Sequence, residues 1–151
     1  MIEAQRMLPS EEQIAVFVDR FYGNVRADAV LGPVFARAIG GEWDAHLARM
    51  TDFWSSIVLG SKRYQGHVMA RHMELAGVEG RHFERWIELF VATADDAFHP
   101  DVAAEFVRPA LRIANSLQLG MFGWDYEIPA AQHALLKSYL MPRPKLRTRS
   151  A

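Results

Sequence analysis

Two histidines, His72 and His46, are the residues of this chain whose surroundings best suit metal chemistry. His72 lies between a helix rich in aromatic residues and a second helix of the same kind. His46 lies on the apolar stripe of the earlier helix, four and seven residues before Met50 and Phe53, which turns its side chain inwards. One histidine can ligate an iron centre while the other faces the open coordination position. The pattern therefore predicts a site for a flat iron cofactor, haem, held between helices.

His67 is the rival of His72 as the iron ligand. The two residues lie five positions apart, and helical neighbours that share a face lie three or four apart. We take His72 as the ligand, and its other ring nitrogen should donate to a backbone carbonyl or to water, which fixes the tautomer. By type alone, a histidine in a short segment between loops is more often a surface or capping residue. His82, His99 and His133 have this boundary or surface character and are assigned no role.

Composition bounds the class of protein. The 151 residues suit one domain, half of them are apolar and 23% are charged. The net charge of −1 gives no global basic excess for nucleic acid, and no apolar run has the length that crosses a bilayer. Cysteine is absent, which excludes disulfides and thiolate ligands. The first residues lack signal-peptide character, so a cytoplasmic protein is expected.

Apolar periodicity predicts helices and gives no strand pattern. Ser10-Glu-Glu-Gln13 is a capping box that begins a helix over 10–27. Further helices are expected up to Ile39 and over 42–59, 68–75, 81–98 and 101–122. Pro109 should bend the last of these or remove one hydrogen bond. An apolar patch over 130–140 predicts a docking helix, and the basic last ten residues are expected to be disordered.

A series of short motifs resembles a known protein family. The motifs are Phe21-Tyr22-Gly-Asn-Val-Arg-Ala-Asp28, Leu31-Gly-Pro-Val-Phe35, Trp43-Asp-Ala-His46, Asp52-Phe53-Trp54, Tyr64-Gln-Gly66, His72-Met-Glu-Leu75 and His82-Phe83-Glu-Arg-Trp86-Ile-Glu-Leu-Phe90. Each is weak alone. In this order and with these intervals, over residues 10–122, they are similar to group III of the truncated, two-over-two haemoglobins. The chain also lacks the glycine-pair motifs typical of the other two truncated groups.

The resemblance implies an all-α, globin-like two-over-two helical sandwich over residues 1–123, with a C-terminal extension over 124–151. The implied cofactor is haem b, iron protoporphyrin IX, which needs an apolar slot and cations or hydroxyls beside its carboxylates. Candidates for the slot are Phe35, Met50, Phe53, Trp54, Met69, Phe83, Trp86, Ile113 and Leu117. Candidates for the rim are Arg49, Tyr64 and Arg71. By type alone, the apolar set is more often plain core and the arginines are solvated charges.

Four side chains acquire specific roles from the resemblance. His72 matches the proximal iron ligand, Tyr22 the distal tyrosine, His46 the distal gate position and Trp86 the distal tryptophan. A buried phenol or indole needs a hydrogen-bond partner. For Tyr22 and Trp86 the partner is either a backbone carbonyl or the iron's ligand. His46 could donate to that ligand, swing as a gate, or coordinate iron itself, and all three alternatives remain open.

The expected function is binding of oxygen, nitric oxide, carbon monoxide or other diatomic ligands at ferrous iron. Two donors in a dry pocket should slow the release of a ligand, which suits detoxifying redox chemistry such as nitric oxide dioxygenase or peroxidase-like activity. No flavin or nicotinamide motif is present, so turnover would need a separate reductase. The alternatives are an oxygen or nitric oxide sensor without turnover, and a haem-free helical domain that binds a partner protein.

Overall fold

A computed structural model of the chain describes residues 7–143 and 145–148. Within these residues it has seven helices and no strand, so the all-α prediction is confirmed. The helices are α1 (Glu11–Ala27), α2 (Leu31–Ile39), α3 (Trp43–Leu59), α4 (Val68–Met73), α5 (Gly80–Ala97), α6 (Pro100–Phe122) and α7 (Ala130–Tyr139). Their ends lie within two residues of those expected from apolar periodicity.

Local signals explain several of the helix ends. The Ser10 hydroxyl accepts a hydrogen bond from the Gln13 N–H, and the Gln13 side chain accepts one from the Ser10 N–H, which completes the predicted capping box. Gly60 ends α3 in a left-handed conformation that favours glycine. Pro109 lies inside α6, and the helix continues through it to Phe122. It therefore removes one hydrogen bond without ending the helix.

The four long helices form two pairs that pack across each other. Helix α1 packs against α3, α5 packs against α6, and the contacts α1–α5 and α3–α6 join the pairs. An aromatic cluster fills the centre, where the Phe17 ring lies 5.4 Å from Phe90 and 4.9 Å from Phe106. Trp54 of α3 lies 5.1 Å from Phe90 in the same cluster. This arrangement holds α1 and the start of α3 at a fixed distance, while the short α4 packs on α6.

The C-terminal helix α7 packs on α6, as expected for a docking helix. The Gln118 amide donates to Gln132 Oε1 at 2.8 Å in the buried interface. Beyond α7, Arg143 pairs with Asp101 at 3.3 Å, and the Arg147 carbonyl accepts a hydrogen bond from the Leu8 N–H at 2.8 Å. Within the described part of the basic tail, Arg143 thus contacts α6 and Arg147 contacts the segment before α1, and disorder of the last ten residues stays a prediction.

Residues 144 and 149–151 of that tail lie outside the described residues. The division into a globin domain over 1–123 and an extension over 124–151 stays a prediction. Among the described helices, none has both the length and the apolar character needed to cross a membrane.

Candidate functional site

Three aromatic side chains meet where α1 faces the start of α3. The rings of Tyr22 and His46 are perpendicular, with centroids 4.7 Å apart. Trp43 lies 5.8 Å from the His46 ring and 6.2 Å from the Tyr22 ring. Phe35 of α2 lies 6.0 Å from Tyr22 on a further side. The structure therefore brings Tyr22 and His46 together and adds Trp43, which sequence reasoning had not assigned to the site.

Tyr22 is a buried residue, and its hydroxyl makes no hydrogen bond to any of the described residues. The residue is 6% exposed, and burial raises the pKa of its phenol. Raising the pKa of a tyrosine keeps the hydroxyl protonated, so Tyr22 retains its donor at any physiological pH. A donor on a buried residue that lacks a protein partner usually has a reason. This hydroxyl can donate to a small ligand beside α1.

His46 presents a second unsatisfied group to the same space. Its Nε2 atom is buried and has no hydrogen-bond partner among the described residues. The pKa of His46 is lowered to about 4, mainly by burial and further by electrostatic contributions from Arg49 and His72. The imidazole is therefore neutral at pH 7.

The environment of His72 leaves one ring nitrogen free for a metal. Its Nδ1 lies 2.7 Å from the carbonyl oxygen of Val68, one turn earlier in α4. Because a carbonyl can only accept, Nδ1 must carry the proton and Nε2 keeps its lone pair. His67, at the start of α4, is exposed. The contacts therefore favour His72 over His67 as a ligand.

The described part of the chain does not contain a metal site built from several protein side chains. No group of three or more histidine, aspartate or glutamate side chains there could hold an ion. A lone histidine with an oriented lone pair suits a metal whose other ligands come from a macrocycle.

Trp86 of α5 lies at the edge of the aromatic core. Its ring stacks on Phe90 at 5.1 Å and meets Phe21 edge-on at 5.7 Å. Phe21 in turn lies 5.0 Å from Tyr22. Among the ring contacts of the described residues, Trp86 thus reaches the Tyr22–His46 pair through Phe21 rather than directly.

The predicted slot residues divide by burial. Three of them are buried in the core: Trp54, Phe83 and Leu117. Five others are partly buried against the core: Phe35, Met50, Phe53, Trp86 and Ile113. Trp54 contacts Phe90 and Phe106, which is core packing. Met69 is 37% exposed on α4. A Cβ on Gly120 would lie 2.5 Å from the Met69 sulfur, so this glycine lets α4 approach α6 closely.

The predicted rim residues lie at the surface near these helices. Arg49 and Arg71 are exposed and form no ion pair with any described residue. Tyr64 is half-buried, and its ring meets Phe53 edge-on at 5.1 Å. Its backbone N–H donates to the Ser56 hydroxyl at 2.9 Å, which ties the segment before α4 to α3. Two free cations and a phenol are thus available beside the apolar residues, and their assignment to the rim stays a prediction.

A polar network that the sequence did not predict also anchors the loop before α4. The buried Ser55 hydroxyl bonds to Glu11 and to Ser61, at 2.9 Å each. Arg63 pairs with the same Glu11 carboxylate at 2.8 Å. The network fixes the loop over 60–67 to α1 and α3, and so fixes the start of the helix that carries His72. Nothing in the spacing of Glu11 and Ser55 signals this contact.

The remaining histidines lie at helix boundaries or at the surface. His82 lies at a helix boundary and is buried there, where its Nδ1 accepts a hydrogen bond from the Glu79 N–H at 2.8 Å. The pKa of His82 is lowered, first by burial and then by Arg81. His99 caps α6 by accepting from the Asp101 N–H, and His133 is exposed, as expected. None of the three contacts the Tyr22–His46 pair.

Comparison with known proteins identifies the family. No family model matches the chain. A protein named Group 3 truncated hemoglobin ctb, from Campylobacter jejuni, is 32% identical over 112 residues, which cover 72% of this chain and 88% of that protein. This chain belongs to the group III truncated haemoglobins. The family predicted from the motifs is thereby confirmed.

A solved structure extends the identification to the fold of this truncated haemoglobin. The crystal structure of a group III truncated hemoglobin from Campylobacter jejuni superposes with a TM-score of 0.73 at 30% identity. It covers 79% of this chain and 96% of the other. The globin-like two-over-two fold is confirmed. Membership of the family implies a haem cofactor and globin-type ligand binding.

Proposed function

We propose that this truncated haemoglobin binds haem b through His72 and carries out redox chemistry on oxygen and nitric oxide. The observation that carries the proposal is the orientation of His72. Its Nδ1–H is held by the Val68 carbonyl at 2.7 Å, so Nε2 keeps the lone pair that iron needs. On α3, the buried Nε2 of His46 also has no hydrogen-bond partner among the described residues.

The residues around His72 fit the rest of a haem. The porphyrin is an apolar disc, and partly buried apolar side chains of α3 and α6, among them Met50, Phe53 and Ile113, could contact it. Its two carboxylates need cations, and Arg49 and Arg71 are unpaired among the described residues. We therefore assign these side chains to the haem slot and rim.

On the opposite side, Tyr22 and His46 would hold a diatomic ligand. Bound haem iron supplies the open coordination position and the electron density that a diatomic ligand draws on. Tyr22 is a buried residue whose hydroxyl has no partner among the described residues, and neutral His46 keeps an N–H. A hydrogen bond to a ligand that gains negative charge contributes about 1.5–3 kcal/mol in such a site. Each donor should therefore slow release about 10- to 100-fold.

Slow release argues for chemistry on the bound ligand rather than for delivery. A carrier must release oxygen, whereas a nitric oxide dioxygenase or a peroxidase-like protein gains from a retained, oriented ligand. Trp86, connected to Tyr22 through Phe21, would supply a third donor or exclude water from the pocket. We propose that a separate reductase returns the iron to the ferrous state.

A hemin titration tests the cofactor and its ligand. We expect a stoichiometric Soret band, and a ferrous carbon monoxide spectrum of the histidine-ligated type. His72→Gly should alter or abolish that spectrum. His67→Gly is the matched control, because His67 is exposed and lies in the same segment, and it should leave the spectrum unchanged. A protein without a stoichiometric Soret band would contradict the haem proposal, and an unchanged His72→Gly spectrum would move the ligand elsewhere.

Nitrate analysis tests the redox part separately. Nitric oxide mixed with the oxygen-saturated ferrous protein should yield one nitrate per haem, with the iron left ferric. Slow oxygen release without nitrate formation would exclude the dioxygenase and favour a sensor that binds without turnover.

A further inference from the structure

The Trp43 ring contacts both Tyr22 and His46, and like His46 it is half-buried. Tyr22 is 6% exposed and His46 has a buried Nε2, whereas Trp43 is half-buried. On the outer side, the guanidinium carbon of Arg26 lies 4.4 Å from the Trp43 ring centroid, and Arg26 is exposed. Exposure thus increases in order from Tyr22 through Trp43 to Arg26.

Helical spacing explains this layered order. Arg26 follows Tyr22 by four residues on α1, and His46 follows Trp43 by three residues on α3. Residues at these spacings lie one above the other on the same helical face. The two facing helices therefore present an inner pair, Tyr22 and His46, and an outer pair, Arg26 and Trp43. Any small molecule that passes between these faces from solvent must displace the outer pair.

The cation–π contact is the contact that the structure records for Arg26. Among the described residues no carboxylate pairs with its guanidinium. Such a contact at an exposed site is weak, and it can be broken and re-formed rapidly. The outer pair is therefore closed by an interaction that a small thermal fluctuation can open.

The backbone before Trp43 is suited to movement. Trp43 is the first residue of α3, and Glu42, which precedes it, makes no side-chain cap. Gly40 has φ +62° and Gly41 follows it, and a Cβ on either would meet no atom within 4 Å. Glycine pairs have high backbone freedom, and the first N–H groups of a helix lack partners within the helix. Trp43 can therefore swing outward when the Glu42 N–H releases the Ile39 carbonyl, which it meets at 3.2 Å across the two glycines.

We propose that Trp43, held closed by Arg26 and hinged at Gly40–Gly41, is a lid that controls ligand access to Tyr22 and His46. The lid rests on the proposed function in one respect, since the space that it covers is the proposed ligand pocket. It makes Trp43 and Arg26 determinants of the rate of binding, distinct from the donors that determine the rate of release.

Carbon monoxide association after flash photolysis of the haem-loaded protein measures the lid directly. Trp43→Ala should raise the bimolecular association rate about tenfold or more. A minor open conformer is typically populated at about 0.1–10%, and removal of the lid makes the whole population accessible. Arg26→Met should raise it about two- to fivefold, the change that one exposed cation–π contact supports. Gly41→Ala restricts the hinge and should lower the rate about two- to fivefold. Arg20→Met is the control and should leave the rate unchanged. Arg20 lies on an exposed part of α1 and pairs with Asp96 of α5.

A double-variant comparison separates a lid from a general loosening of the protein. In a Trp43→Ala background, Arg26→Met should have no further effect on the association rate, because both changes open the same contact. Equal increments from Arg26→Met in both backgrounds would overturn the proposal. An unchanged rate in both single variants would overturn it as well.

Amide hydrogen exchange at His46 tests the lid without reference to haem. The His46 N–H bonds to the Glu42 carbonyl at 3.0 Å in the first turn of α3, and this bond must break when the turn opens. Exchange should be about two- to fivefold faster in Arg26→Met and slower in Gly41→Ala. Exchange that is equal in wild type and both variants would overturn the lid. If the protein bound no haem, the absorption spectrum would reject the proposed function, and this exchange would still decide the lid.

Discussion

Replacing Tyr22 by phenylalanine should stabilise the ligand-free protein and weaken its hold on oxygen. The Tyr22 residue is 6% exposed, and its hydroxyl has no hydrogen-bond partner among the described residues. A polar group that is wholly buried without a partner costs about 1–3 kcal/mol, and the lower end of that range applies to Tyr22. Tyr22→Phe removes the hydroxyl and keeps the ring contacts with His46 and Trp43. We expect the free energy of unfolding of the deoxygenated ferrous protein to rise by about 1 kcal/mol, or about 2–4 °C in Tm.

Oxygen release should change in the opposite direction. Loss of a charge-assisted hydrogen bond of about 1.5–3 kcal/mol should raise the oxygen dissociation rate about 10- to 100-fold. Stopped-flow replacement of oxygen by carbon monoxide measures this rate, and urea unfolding measures the stability. Tyr126→Phe is the control, because Tyr126 packs on Phe122 away from the Tyr22–His46 pair and should change neither quantity. A destabilised Tyr22→Phe protein with an unchanged dissociation rate would refute the argument, since the hydroxyl would then be a structural donor.

Three further changes test the scaffold around the site. The Asp28 carboxylate is 8% exposed and accepts hydrogen bonds from Arg85 and from the two backbone N–H groups that begin α2. Burial alone would raise its pKa, but these hydrogen bonds and the Arg85 charge together lower it. The ionised Asp28 carboxylate therefore stabilises the fold fully above its pKa in the unfolded chain, which is about 4. This stabilisation is lost as the pH falls through the lower pKa that Asp28 has in the folded protein. Asp28→Asn should reduce the free energy of unfolding by about 1 kcal/mol at pH 7 and flatten its decline between pH 5 and 2, as measured by urea titrations. Ser55→Ala should reduce the free energy of unfolding by about 1 kcal/mol. It should also shift the ferrous iron–histidine Raman band, because the hydrogen bonds of Ser55 position the loop before α4. A lower stability with an unmoved band would restrict these hydrogen bonds to a structural role. In the buried amide pair, Gln118 Oε1 and Gln132 Nε2 have no partner among the described residues. The double change Gln118→Met with Gln132→Leu removes both polar groups, so it should be close to neutral in thermal unfolding. Each single change leaves the other amide unpaired and should cost about 1–3 kcal/mol.

The helices were predictable because their signals are local. The Ser10 capping box and the apolar stripe over Ile14–Val25 lie within one helix, and the same holds for the left-handed glycine that ends α3. The short helix α4 was predicted to end two residues too late, at Leu75 rather than Met73. A helix of so few residues depends on packing against α6 and not on its own periodicity.

The sequence motifs select the candidate site residues, but they do not give the tertiary contacts of those residues. The position of Trp43 could have been predicted from the sequence, because Trp43 lies three residues before His46 on the same apolar stripe. Its contact with Arg26 joins two helices and has no pattern in the sequence. The burial of His82 was missed for a related reason: its ring caps the backbone at Glu79, and a polar residue near a helix start suggests the surface.

Imidazole rescue of His72→Gly is the most direct test of the central claim, that His72 ligates the iron opposite Tyr22 and His46. Removal of the side chain beside Val68 should leave a space in which exogenous imidazole can bind iron. We expect the ferrous carbon monoxide spectrum to be lost or altered in His72→Gly and restored by millimolar imidazole, with His67→Gly normal throughout. A His72→Gly spectrum that matches wild type without imidazole would contradict the claim.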